Sequence, residues 1–167
     1  MTVEVLVRGA TLSDDDAYRY LLWRSWRDGP TLLAVCLNPS TADGIADDPT
    51  VRRLVGFAAR DGFGTLLLAN AFALRSTDPG ALLRAADPVG PGDDGAILDA
   101  LGRCDAVAAA WGACDLRLVR RTERVARLLR LRPDREVLCW GETLRGAPRH
   151  PLYLRSDAPL APWNGSS

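Results

Sequence analysis

Thr31-Leu32-Leu33-Ala34-Val35-Cys36-Leu37 is a continuous apolar run of strand length, and it stops abruptly at Asn38-Pro39-Ser40. A strand with no polar face reads as the buried centre of a sheet that is covered on both sides, feeding a loop at its carboxyl end. Asp48 ahead of Pro49 then supplies an N-cap and a first-turn proline, and Val51, Leu54, Val55 and Ala58 recur at helical spacing until Asp61-Gly62. Thr65 to Ala73 predicts a second buried strand, Asp105 to Trp111 a third and Glu136 to Trp140 a fourth. Between them lie a surface loop from Ser76 to Gly92 and a short helix from Asp93 or Asp94 to Leu101. An amphipathic helix follows, carrying Leu118, Val125, Leu128 and Leu129 through Leu131 and closed by Pro133. Strand and helix alternate, which predicts an α/β three-layer sandwich around a central, mainly parallel four-stranded sheet with right-handed crossovers.

Outside that core, Tyr18 to Trp26 is aromatic and partly alternating, and is predicted as an edge strand or hairpin arm beside Val3 to Arg8. The tail Asn164 to Ser167 is expected to fray. The chain reads as one domain over 1–167, with N-terminal strands in 1–30, a core in 31–154 and a tail in 155–167.

Composition narrows the chemistry. The 167 residues carry 21 basic and 21 acidic side chains, and every basic one is Arg. Without lysine there is no Walker-type phosphate lysine, no pyridoxal Schiff base and no lysine-based lyase. No apolar run approaches the roughly 20 residues that span a bilayer, and Met-Thr-Val-Glu-Val has neither the basic start nor the apolar stretch of a signal peptide, so a cytoplasmic protein without membrane partners is expected. Cys36, Cys104, Cys114 and Cys139 form no C-x-x-C pair, and Cys36 and Cys139 read as reduced core residues. Asp43, Asp47 and Asp48 are acids that a divalent ion could use, but Asp48 is already explained as a cap, so no metal is assigned. The eight arginines from Arg117 to Arg135 are interleaved with acids and read as a solvated face.

In open parallel sheets, ligands bind beyond the carboxyl ends of the strands. That rule selects Asn38-Pro39-Ser40 with Asp43 after strand one, Asn70 and then Arg75 after strand two, Trp111-Gly112 after strand three, and His150 beyond strand four. Asn38 to Ser40 reads equally as turn chemistry. Asn70 interrupts an apolar run, so its amide must satisfy backbone groups or face a ligand. His150 is the only histidine. Arg145, Arg149 and Arg155 flank it, placed for phosphate contact.

Four motifs occur in order: Cys36-Leu37-Asn38-Pro39-Ser40, Leu66-Leu67-Leu68-Ala69-Asn70, Val107 to Gly112, and His150-Pro151-Leu152-Tyr153-Leu154. Together they resemble the uracil-DNA glycosylase superfamily, and within it a bacterial and phage-associated family known only as a domain of unknown function. The resemblance implies a cofactor-free, monomeric, monofunctional DNA glycosylase that hydrolyses the N-glycosidic bond of a modified base, leaves an abasic site, and serves repair or anti-phage defence without an obligatory protein partner. It assigns Asn38 to the water with help from Asp43, and His150 to the base oxygen. Asn70, with Phe72 and Trp111, takes the base. Ser40, Arg75, Arg145, Arg149, Tyr153 and Leu154 contact DNA, Tyr153 or Leu154 filling the vacated stack. Ser40 stands where the superfamily has Gly and Leu152 where it has Ser. The loop 41–49 has no stacking aromatic, which points away from uracil and towards a bulky or hypermodified base. The alternative reading is a non-catalytic module that binds a nucleotide or modified nucleoside, and a third is a small nucleoside hydrolase or transferase.

Overall fold

In the computed structural model, which describes residues 2–165, the apolar run forms β3 (Thr31–Cys36), the middle strand of a seven-stranded mixed sheet. β4 (Thr65–Asn70) and β5 (Ala106–Ala109) flank it in parallel, and β6 (Val137–Cys139) runs parallel to β5. Side chains alternate between two cores, as the two-residue period of a strand requires. Leu33, Val35, Leu67 and Ala69 pack under α3 (Asp93–Arg103) and α4 (Val119–Leu129), while Leu32, Ala34, Leu66 and Leu68 pack under α1 (Pro49–Arg60). The result is an α/β sandwich of helix, sheet and helix layers.

The four predicted parallel strands are therefore present, but a four-stranded sheet is too small. β1 (Val7–Leu12) and β2 (Arg19–Ser25) extend it on the β4 side, each antiparallel to its neighbour, so that β2 alone opposes the central direction there, and β7 (Ala161–Pro162) adds an antiparallel edge on the β6 side. β2 pairs with both β1 and β4, so it is interior, and its hairpin partner lies at 7–12 rather than 3–8. Gly9 obscured that strand in the sequence, yet the sheet needs it there: a Cβ on Gly9 would lie 2.2 Å from the Trp23 ring. The tail is not loose as far as it is described. Trp163 N–H donates to Val137 O (2.8 Å), and Gly165 O accepts from Arg130 (3.0 Å). The remaining tail positions of the fraying expectation, Ser166 and Ser167, lie outside the described residues.

The Ser76–Gly92 loop contains a short helix, α2 (Ala81–Arg84), and the amphipathic helix is preceded by a 3-10 turn at Leu116–Leu118. All four thiols are free, and Cys36 and Cys139 are buried as predicted. Burial pushes the Cys36 thiol up to about 12, which leaves it inert. The arginine series is largely consumed locally: Arg117 pairs with Asp115, Arg121 and Arg124 with the acids of α3, and Arg132 with Asp134. Among the described residues no helix is long and apolar enough to cross a membrane.

Candidate functional site

The loop that leaves β3 is shaped by two buried arginines of β2. Arg24, fully buried, donates to the Asp43 and Ala46 carbonyls and to the Asp47 carboxylate (2.7 Å). Arg19 donates to Ala42 O (2.9 Å). Asp43 closes this loop with its own side chain, Oδ1 accepting from the amides of Ile45 (2.8 Å) and Ala46 (2.7 Å), which hold the carboxyl below its usual range. Asp43 thus works as a turn residue, and the assisting role expected for it is not what its position provides. Asp48 caps α1 as predicted, Oδ1 accepting from Val51 N–H (2.9 Å), and it also accepts from Ala42 N–H through Oδ2 (3.3 Å).

Behind that loop the carboxyl ends of β3 and β4 enclose a small polar chamber of about 30 Å³, whose walls include Arg19, Asn38, Ser40, Asp48, Asn70 and His150. Three residues expected to converge, Asn38, Asn70 and His150, do share this cavity. Its size excludes a nucleobase, however, and Asn70 is 1 % exposed with Oδ1 accepting from Arg19 Nη2 (3.3 Å). An amide held this way orders the chamber and does not present itself to a base in this conformation. Arg19 is 2 % exposed, and burial pulls its guanidinium down to about 10 against the opposing influence of Asp48. Its Nε–H has no partner among the described residues.

Asn38 and His150 also line a much larger cleft of about 720 Å³, floored by Trp111-Gly112 and walled by Leu83, Leu118, Arg149 and Tyr153. Asn38 is fixed by its amide, Nδ2 donating to Pro39 O (3.1 Å) and Ser76 O (3.0 Å), so Oδ1 remains open. His150 caps the 3-10 turn Pro151–Tyr153, with Nδ1 accepting from Leu152 N–H (3.3 Å). Acceptance at Nδ1 leaves the proton on Nε2, and burial lowers the imidazole pKa below its usual value, so the ring is neutral at pH 7 with a free N–H donor. Gly112 makes room for it. Its φ is +76°, a Cβ there would meet His150 Cβ at 3.1 Å, and its N–H donates to Pro148 O (2.7 Å).

A second lobe of about 580 Å³ shares Trp111 to Cys114 and Thr143 with the first, and is closed by Val119, Thr122, Trp163 and the loop bearing Leu144 and Arg145. Trp111 is braced edge-on by Trp163 at 5.2 Å between ring centres. The rim carries exposed apolar groups: Tyr153 is 80 % exposed and Leu144 entirely so.

Of the residues expected at the site, Asn38, Ser40, Asn70, His150, Trp111, Arg149, Tyr153 and Arg145 line one or more of these cavities. Phe72 and Leu154 do not: Phe72 is buried between the sheet and α3, and Leu154 packs against the α1 face, so neither can stack on a base or enter a duplex. Arg75 lines none of the three, its guanidinium donating to Asp16 O (3.2 Å). Arg19 is not singled out by the sequence and Asp48 is read there only as a cap and a possible ion ligand, yet both line the chamber. An arginine in an aromatic strand reads as exposed, and the capping role of Asp48 appeared to explain it.

Residues 19–152 match the family model described as a protein of unknown function, DUF1643. The chain belongs to this family. Within the DUF1643 span fall Arg19, Asn38, Asp48, Asn70, Trp111 and His150, so the chamber and the floor of the cleft lie inside it. No curated protein and no solved structure matches the chain.

Proposed function

We propose that this protein is a monofunctional DNA glycosylase of the uracil-DNA glycosylase superfamily, which hydrolyses the N-glycosidic bond of a modified base. The observation that carries the reading is one shared wall: Asn38 with Oδ1 open and neutral His150 with Nε2–H open stand between a water-sized polar chamber and a ligand-sized cleft. An oxocarbenium-like sugar and a departing base anion develop together, so a hydrogen-bond donor must meet the base oxygen while one water reaches the sugar carbon. A neutral imidazole with Nδ1 occupied donates through Nε2–H to a developing oxyanion and keeps its proton.

The cleft accepts a base extruded from the strand, laid against Trp111, and the adjoining lobe leaves space for a substituent on it. Tyr153, beside the His150 ring at 5.9 Å, is placed to fill the gap in the stack in the role first shared with Leu154. Arg145 and Arg149 on the rim supply phosphate contacts. Without lysine no imine forms on a side chain, and the product is an intact strand with an abasic site.

The test is incubation of the purified chain with single- and double-stranded DNA containing uracil, deaminated bases or phage-type substituted pyrimidines. Alkali-labile sites are expected in one of these classes. If none forms, while free nucleosides raise the melting temperature, the pocket belongs to a binding module instead.

A further inference from the structure

Glu123 lies on α4 with Arg120 one turn before it and Arg127 one turn after, spacings at which a helix brings opposite charges together. Among the described residues it nevertheless makes no ion pair, although Asp93, Asp94 and Asp99 of the neighbouring α3 all do. Glu123 is half-buried and lines the second lobe instead. Most of that lobe is apolar, with walls from Trp111, Val119, Leu144, Pro148 and Trp163. Its two hydroxyls are already bonded within the chain: Thr122 donates to Val119 O (2.9 Å), and Thr143 Oγ1 accepts from Ala147 N–H (3.1 Å). Arg145 is exposed and stands at the mouth, on the side given to phosphate. A carboxylate set into apolar walls without a counter-ion is one half of a cation site. The indoles of Trp111 and Trp163 add an electron-rich surface of the kind that holds cations, as Arg130 over the Trp163 ring at 4.7 Å illustrates.

We infer that this lobe is a substituent pocket for a base whose apolar arm ends in an ammonium group, with Glu123 as its counter-ion and the specificity-determining residue. The inference rests on the glycosylase reading, because it takes the base to lie in the larger cleft against Trp111. From there Trp111 to Cys114 and Thr143, common to both cavities, lead into the lobe. Its volume, about 580 Å³, is far more than a methyl or hydroxymethyl group fills, so the arm it suits is several atoms long. The chemistry of the walls selects among such arms. A sugar would bring several hydroxyls to a lobe whose own hydroxyls are taken, an anionic arm would meet Glu123, and a plain alkyl arm would cover the carboxylate without pairing it. An alkylamine keeps its proton at neutral pH, lays its carbons on the apolar walls and brings its charge to Glu123.

Titration calorimetry at pH 7 with free nucleosides tests the pocket without relying on activity. The probes are aminoallyl-deoxyuridine and the same nucleoside acetylated on its amine, which keeps the arm and removes the charge. The wild type is expected to bind the amine at least about tenfold more tightly than the acetylated form. Glu123→Gln keeps a good helix former and breaks no ion pair, so it should melt as the wild type does and bind the two nucleosides equally. Equal affinities in the wild type, no measurable binding of the amine, or a preference that survives in the folded Glu123→Gln chain overturns the assignment. Release of the aminoallyl base and of uncharged bases from DNA is measured beside it. A wild type that prefers the amine through Glu123 but releases no base from any DNA overturns the glycosylase reading and leaves the ammonium pocket standing. Base release together with equal affinities overturns the pocket alone.

Discussion

At the scale of single residues, His150 carries the sharpest expectation. Its Nδ1 is committed to Leu152 N–H and its burial keeps it neutral, so its remaining function is donation through Nε2. Replacing one donor of this kind costs roughly 10² to 10³ in rate, and His150→Ala is expected to slow base excision in single-turnover assays by that factor with little change in melting temperature. Gly112→Ala should impair the same step by a different route. It places a Cβ at φ +76° and 3.1 Å from His150 Cβ, costing about 1–2 kcal/mol of stability and displacing the imidazole, as differential scanning calorimetry and excision kinetics together would show. The rule that ligands bind beyond the carboxyl ends of parallel strands selected Asn38 and His150, and both line the cleft and the chamber, although Asn38 taken alone read equally as turn chemistry. Phe72 and Leu154 were misplaced because an apolar side chain gives the same signal whether it fills a core or lines a pocket. Asp48 was hidden by a sufficient local explanation, its cap.

At the scale of elements, α3 and α4 are tied by Asp93, Asp94, Arg121 and Arg124, with Arg121 also donating to Ala71 O just beyond β4. Asp93 is fully buried, and burial raises its carboxyl to about 7 despite Arg121 at 2.9 Å. A carboxyl raised on folding holds a proton that the unfolded chain has lost. Its contribution is complete below about pH 4 and disappears as pH rises to about 7. His150, lowered on folding, acts with the opposite sign near and below its usual value, so the comparison must be between variants. Asp93→Asn should remove the fall in melting temperature between about pH 4 and 7 relative to wild type; a parallel pair of pH curves would contradict this. Whereas α2, four residues within the Ser76–Gly92 segment, is too short to show a period, α1, α3, α4 and the four parallel strands were readable because their periodicities are regular. β1 and β7 were not, since a six-residue strand interrupted by Gly9 and a two-residue strand containing Pro162 have meaning only once the partner strand is known. The buried arginines of β2 escaped for a related reason: arginine is rarely interior, and the loop carbonyls that satisfy Arg24 lie 19 and 22 residues away in sequence.

At the scale of the whole molecule, 21 basic and 21 acidic side chains leave no net field to draw DNA, so the proposed DNA binding rests on the few arginines around the cleft. Each phosphate contact contributes about 0.9 to the slope of log affinity against log salt, which predicts a shallow dependence of about −2 to −4 by fluorescence anisotropy. Arg145→Ala with Arg149→Ala should flatten it by nearly 2. An unchanged slope would place the DNA elsewhere on the surface. Under the proposed function one wall, Asn38 with His150, presides over cleavage of a glycosidic bond. Mass spectrometry of DNA carrying substituted pyrimidines after incubation with the chain tests it most directly. The expected result is a free base and an abasic strand from the wild type, both reduced at least about 100-fold in Asn38→Ala and His150→Ala chains that melt normally. Intact glycosidic bonds with every such DNA, or undiminished release by either variant, would contradict it.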